Sequence, residues 1–563
     1  MTTNQNQPKP ISRFAILLLL LTAGFILIWA VGERGLWAAE GRWAEINREM
    51  FLSGNFFHPT INGEPYFDKP LLTYWLISLV TLITGSLNEW SARIPSALAG
   101  IAAVWAIFRL GRRLWSDRVG LIAGWLLLTG YGFIFWSRTA TAESENLLAV
   151  ILCVAWYWAR RDRPNFTSFF VFWLIAFLGA LTKGLTAVVI PVLAVLPDLL
   201  RRGRWKIVFK PAHILALVLA VMVYLAPFVY ASLSRPEYGE SGLVLVFREN
   251  ILRYFQPFDH RGPIYIYLYQ IPLLFLPWSP LFLAALVGSL VNWKKLDERT
   301  RWLIQAIGVI FLFFSLSGSR RSYYILPVFP LIALWTANFL VEMKGERIEK
   351  YRLWGMKVQM ALLGLMAAAV FLAPLIWPLI RSRVEFTPPP GLITAVLILG
   401  AAAVILILAA LRSAHGSSRR LSALIASVVI LLGGYFSILL PALDIYRSER
   451  AFAGELRKKT AGIPADRIGF YPDIGSNMIF YLNKDNPVRV FDENLINELK
   501  EFLASPPPRV IIAKRRERDI ILPLFPPGSG PTEIINEPVH PWEKKKARKR
   551  RIAWFFIEEN QPL

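Results

Sequence analysis

Apolar runs close to the ~20 residues that a helix needs to cross a bilayer recur along the first four fifths of the chain, separated by short polar loops. Only helices and closed barrels satisfy their backbone groups in lipid, and runs of this length are helical. The pattern predicts thirteen spans, at about 14–32, 92–108, 119–136, 144–159, 166–182, 184–200, 211–230, 264–290, 302–316, 322–341, 356–378, 391–411 and 421–443. The apolar stretch 71–85 is too short to cross comfortably and reads as a helix lying at the membrane interface, with Trp75 at headgroup level. The first span has no small-residue cleavage site after it and reads as a retained helix.

After about residue 445 the apolar runs shorten. The stretches 467–471, 488–491, 509–513 and 552–557 carry the β-branched and aromatic composition of strands, and 447–460, 475–483 and 493–504 look helical between them. This alternation predicts a small α/β domain over 445–563. The chain thus divides into a membrane part, 1–444, containing a first external loop at 33–91, and a C-terminal domain.

Charge fixes the sidedness. Lys and Arg number 62 against 39 Asp and Glu, a net +23, and the excess gathers in alternate loops, as at 109–118, 160–163, 201–210, 294–301, 344–352 and 412–420. The positive-inside rule places those loops and the N-terminus in the cytoplasm and, with thirteen spans, the C-terminal domain outside. The basic residues are topology determinants beside anionic lipid, which removes nucleic acid as a partner. The run Lys544–Arg551 reads as a solvated loop. The lone Cys153 lies in an apolar run, so no internal disulfide and no cysteine metal site can form.

Three groups of titratable residues then face outside. They are Glu40, Arg42, Glu45, Asp68 and Lys69; Arg138, Glu143 and Glu145; and Lys183, Arg248, Glu249, Arg253, His260, Arg320 and Arg321. Charges beside a bilayer are costly and tend to line a pathway or cavity. Cations neutralise a phosphate, Arg as a fork and Lys as a point charge, and a departing phosphate needs that help. A carboxylate can orient or deprotonate an attacking hydroxyl. No Gly-x-x-x-x-Gly-Lys-Ser/Thr loop is present, so the suited donor is a lipid phosphate rather than a nucleotide. A transporter would spread its charges through mid-membrane in two corresponding halves, and no such repeat is visible.

The runs Ala39–Met50, Ser53–Pro59 and Asn62–Trp75 resemble the first external loop of bacterial membrane glycosyltransferases, the family of the lipid A 4-amino-4-deoxy-L-arabinose transferases and, more distantly, the protein O-mannosyltransferases. Asn88–Pro95, Arg138 with Glu143, Leu181–Gly184, Arg248–Arg253 with His260, Pro277-Trp278 and Ser315–Pro327 continue the pattern in order. The resemblance implies a C-type glycosyltransferase fold and inverting transfer of a sugar from a polyprenyl (undecaprenyl) phosphate to a periplasmic acceptor. That acceptor is lipid A-like, or in the alternative a protein or polysaccharide. It implies Glu40, Glu143 and Asp68 as catalytic carboxylates, and Lys69, Arg42, Arg320 and Arg321 as binders of the donor phosphate. Tyr66, Tyr323, Tyr324 and Arg253 would meet the carrier lipid or substrate, and Asp68 and His260 are candidate ligands of a divalent metal. The family's first acid stands directly before this Glu, where the present chain has Ala39.

Overall fold

The computed structural model describes residues 11–235, 242, 244, 247–256, 261–381, 387–414, 418–539 and 547–557. Every one of the thirteen apolar stretches is helical over most of its described length. By length and composition, seven helices suffice to cross a membrane, and a bent pair, Asp117–Leu128 and Tyr131–Ser137 at 68°, makes an eighth. The stretch 264–290 is likewise broken, into Ile266–Leu274 and Ser279–Val291. Length alone therefore does not yield thirteen complete crossings among the described residues.

The bundle is organised around a helix at Glu89–Leu114, here called α4 after α1 (Arg13–Ile28), α2 (Glu40–Ser53) and α3 (Leu72–Thr84). Asn88 starts α4, accepting the amides of Trp90 and Ser91 while Ser91 returns a bond to its backbone. Small residues let neighbours press close, since a Cβ on Gly120 would stand 2.4 Å from the Phe108 carbonyl oxygen. Leu365, Leu379, Ile398 and Ile405 remain exposed on the outer helices, an apolar surface suited to lipid. α3 is the short amphipathic helix expected at 71–85, with Thr73, Tyr74, Ile77, Ser78 and Thr81 turned inward.

Residues 468–556 carry a five-stranded sheet. Ile468–Tyr471 lies between Arg489–Val490 and Arg509–Lys514 in parallel pairing. Arg551–Phe556 and Glu533–Asn536 extend it antiparallel, the last being a strand that the apolar pattern does not reveal. A helix at Ser476–Leu482 leaves this sheet and packs on α2.

Candidate functional site

A cavity of about 790 Å³ opens between the first external loop, the break before Glu143, the end of the helix Phe166–Lys183 and the segment 317–324. Its walls carry Arg42, Tyr66, Asp68, Lys69, Glu143, Arg253, Arg321, Tyr323 and Tyr324, nine of the residues singled out from the sequence. It also carries Lys183, Arg248 and Glu249. Among the described residues, six cationic side chains thus meet three carboxylates, an excess of three positive charges.

The carboxylates are all held by cations. Asp68 Oδ2 lies 2.6 Å from Arg42 Nη1 and 3.3 Å from Lys69 Nζ. Glu249 Oε2 lies 2.5 Å from Arg253 Nη1 and 3.9 Å from Lys69 Nζ. Glu143, in the first turn of its helix, is ion-paired with Lys183, which ends the helix that follows. The Lys183 ammonium also sits over the rings of Tyr324 and Tyr323, at 5.2 and 5.7 Å. Arg321 donates to the Tyr323 hydroxyl at 2.7 Å. Burial pushes the Lys69 ammonium below the usual lysine value, with Asp68 offsetting part of the effect. Asp68 Oδ1 and Arg42 Nε are buried without a hydrogen-bond partner among the described residues.

Glu40 is a correction. It does not line the cavity but is fully buried, 0% exposed. Arg93 Nε and Nη2 bind its two oxygens at 2.7 and 2.8 Å, Arg34 Nη2 binds at 3.1 Å, and the amides of Trp37 and Ala140 donate at 3.0 and 2.8 Å. Burial alone would raise the Glu40 pKa; the guanidiniums of Arg93 and Arg34 outweigh it and hold the carboxyl below the usual range. Arg93 spends its remaining donors on the carbonyls of Val31, Arg34 and Gly35. The pair therefore staples the loop to α4 and is closed to substrate.

Arg320 is a second correction. It donates to the carbonyls of Gly262 at 2.7 Å, Ser315 at 3.0 Å and Ser317, which folds the 315–321 turn and leaves Arg321 facing the cavity. The metal expectation names Asp68 and His260. Asp68 is occupied by two cations, His260 lies outside the described residues, and among the described residues no three His, Cys, Asp or Glu side chains gather as ligands.

Lys183, Arg248 and Glu249 are the charged site members to which the sequence assigned no individual role. Lys183 finds Glu143 across 40 residues, a pairing that local spacing does not announce. Arg93 was legible in one respect, because an ionisable residue just inside an apolar span needs a partner.

Residues 68–230 match the family described as dolichyl-phosphate-mannose-protein mannosyltransferase. Over 337 residues the chain is 30% identical to an undecaprenyl phosphate-alpha-4-amino-4-deoxy-L-arabinose arabinosyl transferase of Pseudomonas aeruginosa, covering 58% of this chain and 59% of that one. An Edwardsiella ictaluri protein of the same name is 30% identical over 62% of this chain and 64% of its own length. The chain thus spans about three fifths of these relatives. In structure it superposes on ArnT from Cupriavidus metallidurans, solved bound to undecaprenyl phosphate, with a TM-score of 0.73 over 98% of this chain and 100% of that one, at 19% identity. This multispan membrane protein is thus similar in sequence to these transferases over about three fifths of their length and has the C-type glycosyltransferase fold.

Proposed function

We propose that this relative of the aminoarabinose transferases moves a sugar from a polyprenyl (undecaprenyl) phosphate donor to an acceptor at the outer face of the bacterial inner membrane, the acceptor being a phosphorylated glycolipid such as lipid A. The observation that carries the reading is the cavity's excess of three positive charges. Lys69, Arg253 and Arg321 line the cavity, and in this reading they neutralise the donor phosphate as the glycosidic bond breaks and charge builds on the leaving group. Arg42 and Lys69 hold Asp68 as a carboxylate, which can steady the positive charge that develops at the sugar carbon, by analogy with glycoside hydrolysis.

The choice of acceptor follows from the same ion pairs. Among the described residues every cavity carboxylate is bound to a cation, and Ala39 in the wall offers no acid. A carboxylate so engaged is a weak general base. A hydroxyl acceptor needs a base, whereas a phosphate oxygen is already ionised and can displace the donor phosphate directly in one inverting step. Tyr66, Tyr323, Tyr324 and Trp136 give the cavity an aromatic flank for the carrier lipid.

Mass spectrometry of lipid A and surface glycans, from cells with and without the gene, tests the reading. A sugar-modified phosphoglycolipid present only with the gene supports it. A modification confined to protein would instead favour the acceptor class named in the family matched at 68–230, and one confined to polysaccharide would favour a glycan acceptor.

A further inference from the structure

α2 lacks a cap of its own. Ala39, at its N-cap position, has a methyl side chain and helical backbone angles, φ −80° and ψ −5°, and makes no side-chain cap. The first amides of a helix need acceptors, and the second and third are the usual targets of an N-cap side chain. Here the second amide, that of Gly41, donates to Asn477 Oδ1 at 2.8 Å, across 436 residues. Asn477 belongs to the helix Ser476–Leu482 of the C-terminal domain, and its Nδ2 donates to the Ala38 carbonyl at 3.2 Å. Ala38 is left-handed, with φ +53°, a conformation that a residue with a Cβ keeps only when its surroundings impose it.

Two observations show that the fit is built. A Cβ on Gly41 would stand 2.2 Å from Asn477 Oδ1 and 2.5 Å from the Asn477 backbone, so this approach requires glycine. One turn further on, the Tyr481 hydroxyl accepts from the Leu36 amide at 2.5 Å and donates to Glu89 Oε1 at 2.9 Å. The segment so gripped supplies Trp37, Ala38, Ala39 and Arg42 to the cavity wall.

We infer that Asn477 is the N-cap of α2 supplied in trans by the C-terminal domain, and thereby a positioning residue for the transfer cavity. Its effect on turnover rests on the transferase reading; the capping itself rests on geometry alone. The cavity wall keeps its shape while the domain is docked and relaxes when the cap is withdrawn.

Hydrogen exchange of the full chain in detergent, followed at the amides of Leu36 to Trp43, tests the cap in three variants, Asn477→Ala, Asn477→Asp and Gly41→Ala. The amide of residue 41 exchanges faster in Asn477→Ala and in Gly41→Ala. It stays protected in Asn477→Asp, whose carboxylate still accepts at the helix N-terminus. The kcat of Asn477→Ala with a polyprenyl-phosphate sugar falls about fivefold, the rate equivalent of about 1 kcal/mol, and Asn477→Asp recovers much of it. Affinity for polyprenyl phosphate itself stays within about twofold. Unchanged exchange at the Gly41 amide in Asn477→Ala overturns the cap. Faster exchange with unchanged kcat per folded molecule overturns the positioning role. Wild-type protein that turns over no polyprenyl-phosphate sugar defeats the transferase reading while the exchange data still decide the cap.

Discussion

Two neighbouring carboxylates of the first loop show how surroundings assign a task. Glu40, with five donors on its two oxygens, is spent on structure, whereas Asp68 shows one buried oxygen with no hydrogen-bond partner among the described residues and lines the cavity. Removing one partner of a buried ion pair costs ~3–5 kcal/mol, so Glu40→Ala should lose folded protein in a thermal-melt assay. Asp68→Asn, in the cavity wall, should fold normally and lose turnover; the reverse pattern would return Glu40 to the catalytic set. Glu45 adds a pH dependence. Burial raises it to about 7, against which the Arg48 fork, at 2.7 and 2.9 Å, pulls only part of the way. Between about 4.3, the ordinary glutamate value, and about 7 the folded protein keeps a proton that the unfolded chain has released. Stability therefore declines as pH rises through that window and is lowest above it. The melting temperature should fall from about pH 5 to about pH 8, and Glu45→Gln should flatten that fall; equal slopes would contradict the assignment. The identity of the charged residues was legible in the loop sequence. Which of them would be buried was not, because Arg93, the partner that closes Glu40, lies 53 residues away.

The helices were legible to within a few residues, since each long apolar run had one way to satisfy its backbone. Their breaks were less so. The turn at 129–130 and the interruption at 275–278 fall at Thr129-Gly130 and at Pro277, breakers that a count of apolar residues passes over, and tertiary bonds join them: the Tyr131 amide donates to the Leu276 carbonyl at 2.8 Å, and Trp278 Nε1 donates to Thr129 Oγ1 at 2.8 Å. The first break turns the chain toward Arg138 and Glu143. Close packing sets the rest of the frame. Gly111 and Gly120 bring α4 and the helix Asp117–Leu128 together, a Cβ on Gly111 falling 2.7 Å from the Gly120 Cα. Gly120→Val should cost ~1–3 kcal/mol through overpacking against the Phe108 carbonyl, read as a lower melting temperature in detergent; a stable variant would show that the two helices can slide apart.

At the scale of the whole molecule, the charge pattern and the family motifs led to one face of one membrane bundle, and the structure gathers the matching charges there. The cavity draws on segments at 37–70, 135–146, 183–189, 248–254 and 313–324, so no local stretch of sequence contains it. The partnership of the C-terminal domain with α2 was invisible for the same reason, its contacts spanning more than 400 residues. The central claim is that the cavity's own cations, Lys69 foremost, carry the departing phosphate. The most direct test is release of polyprenyl phosphate from a synthetic polyprenyl-phosphate sugar by purified protein, in wild type and Lys69→Ala. The account predicts release by the wild type and a loss of about 10²–10³-fold in the variant. Wild-type rates in the variant would contradict it.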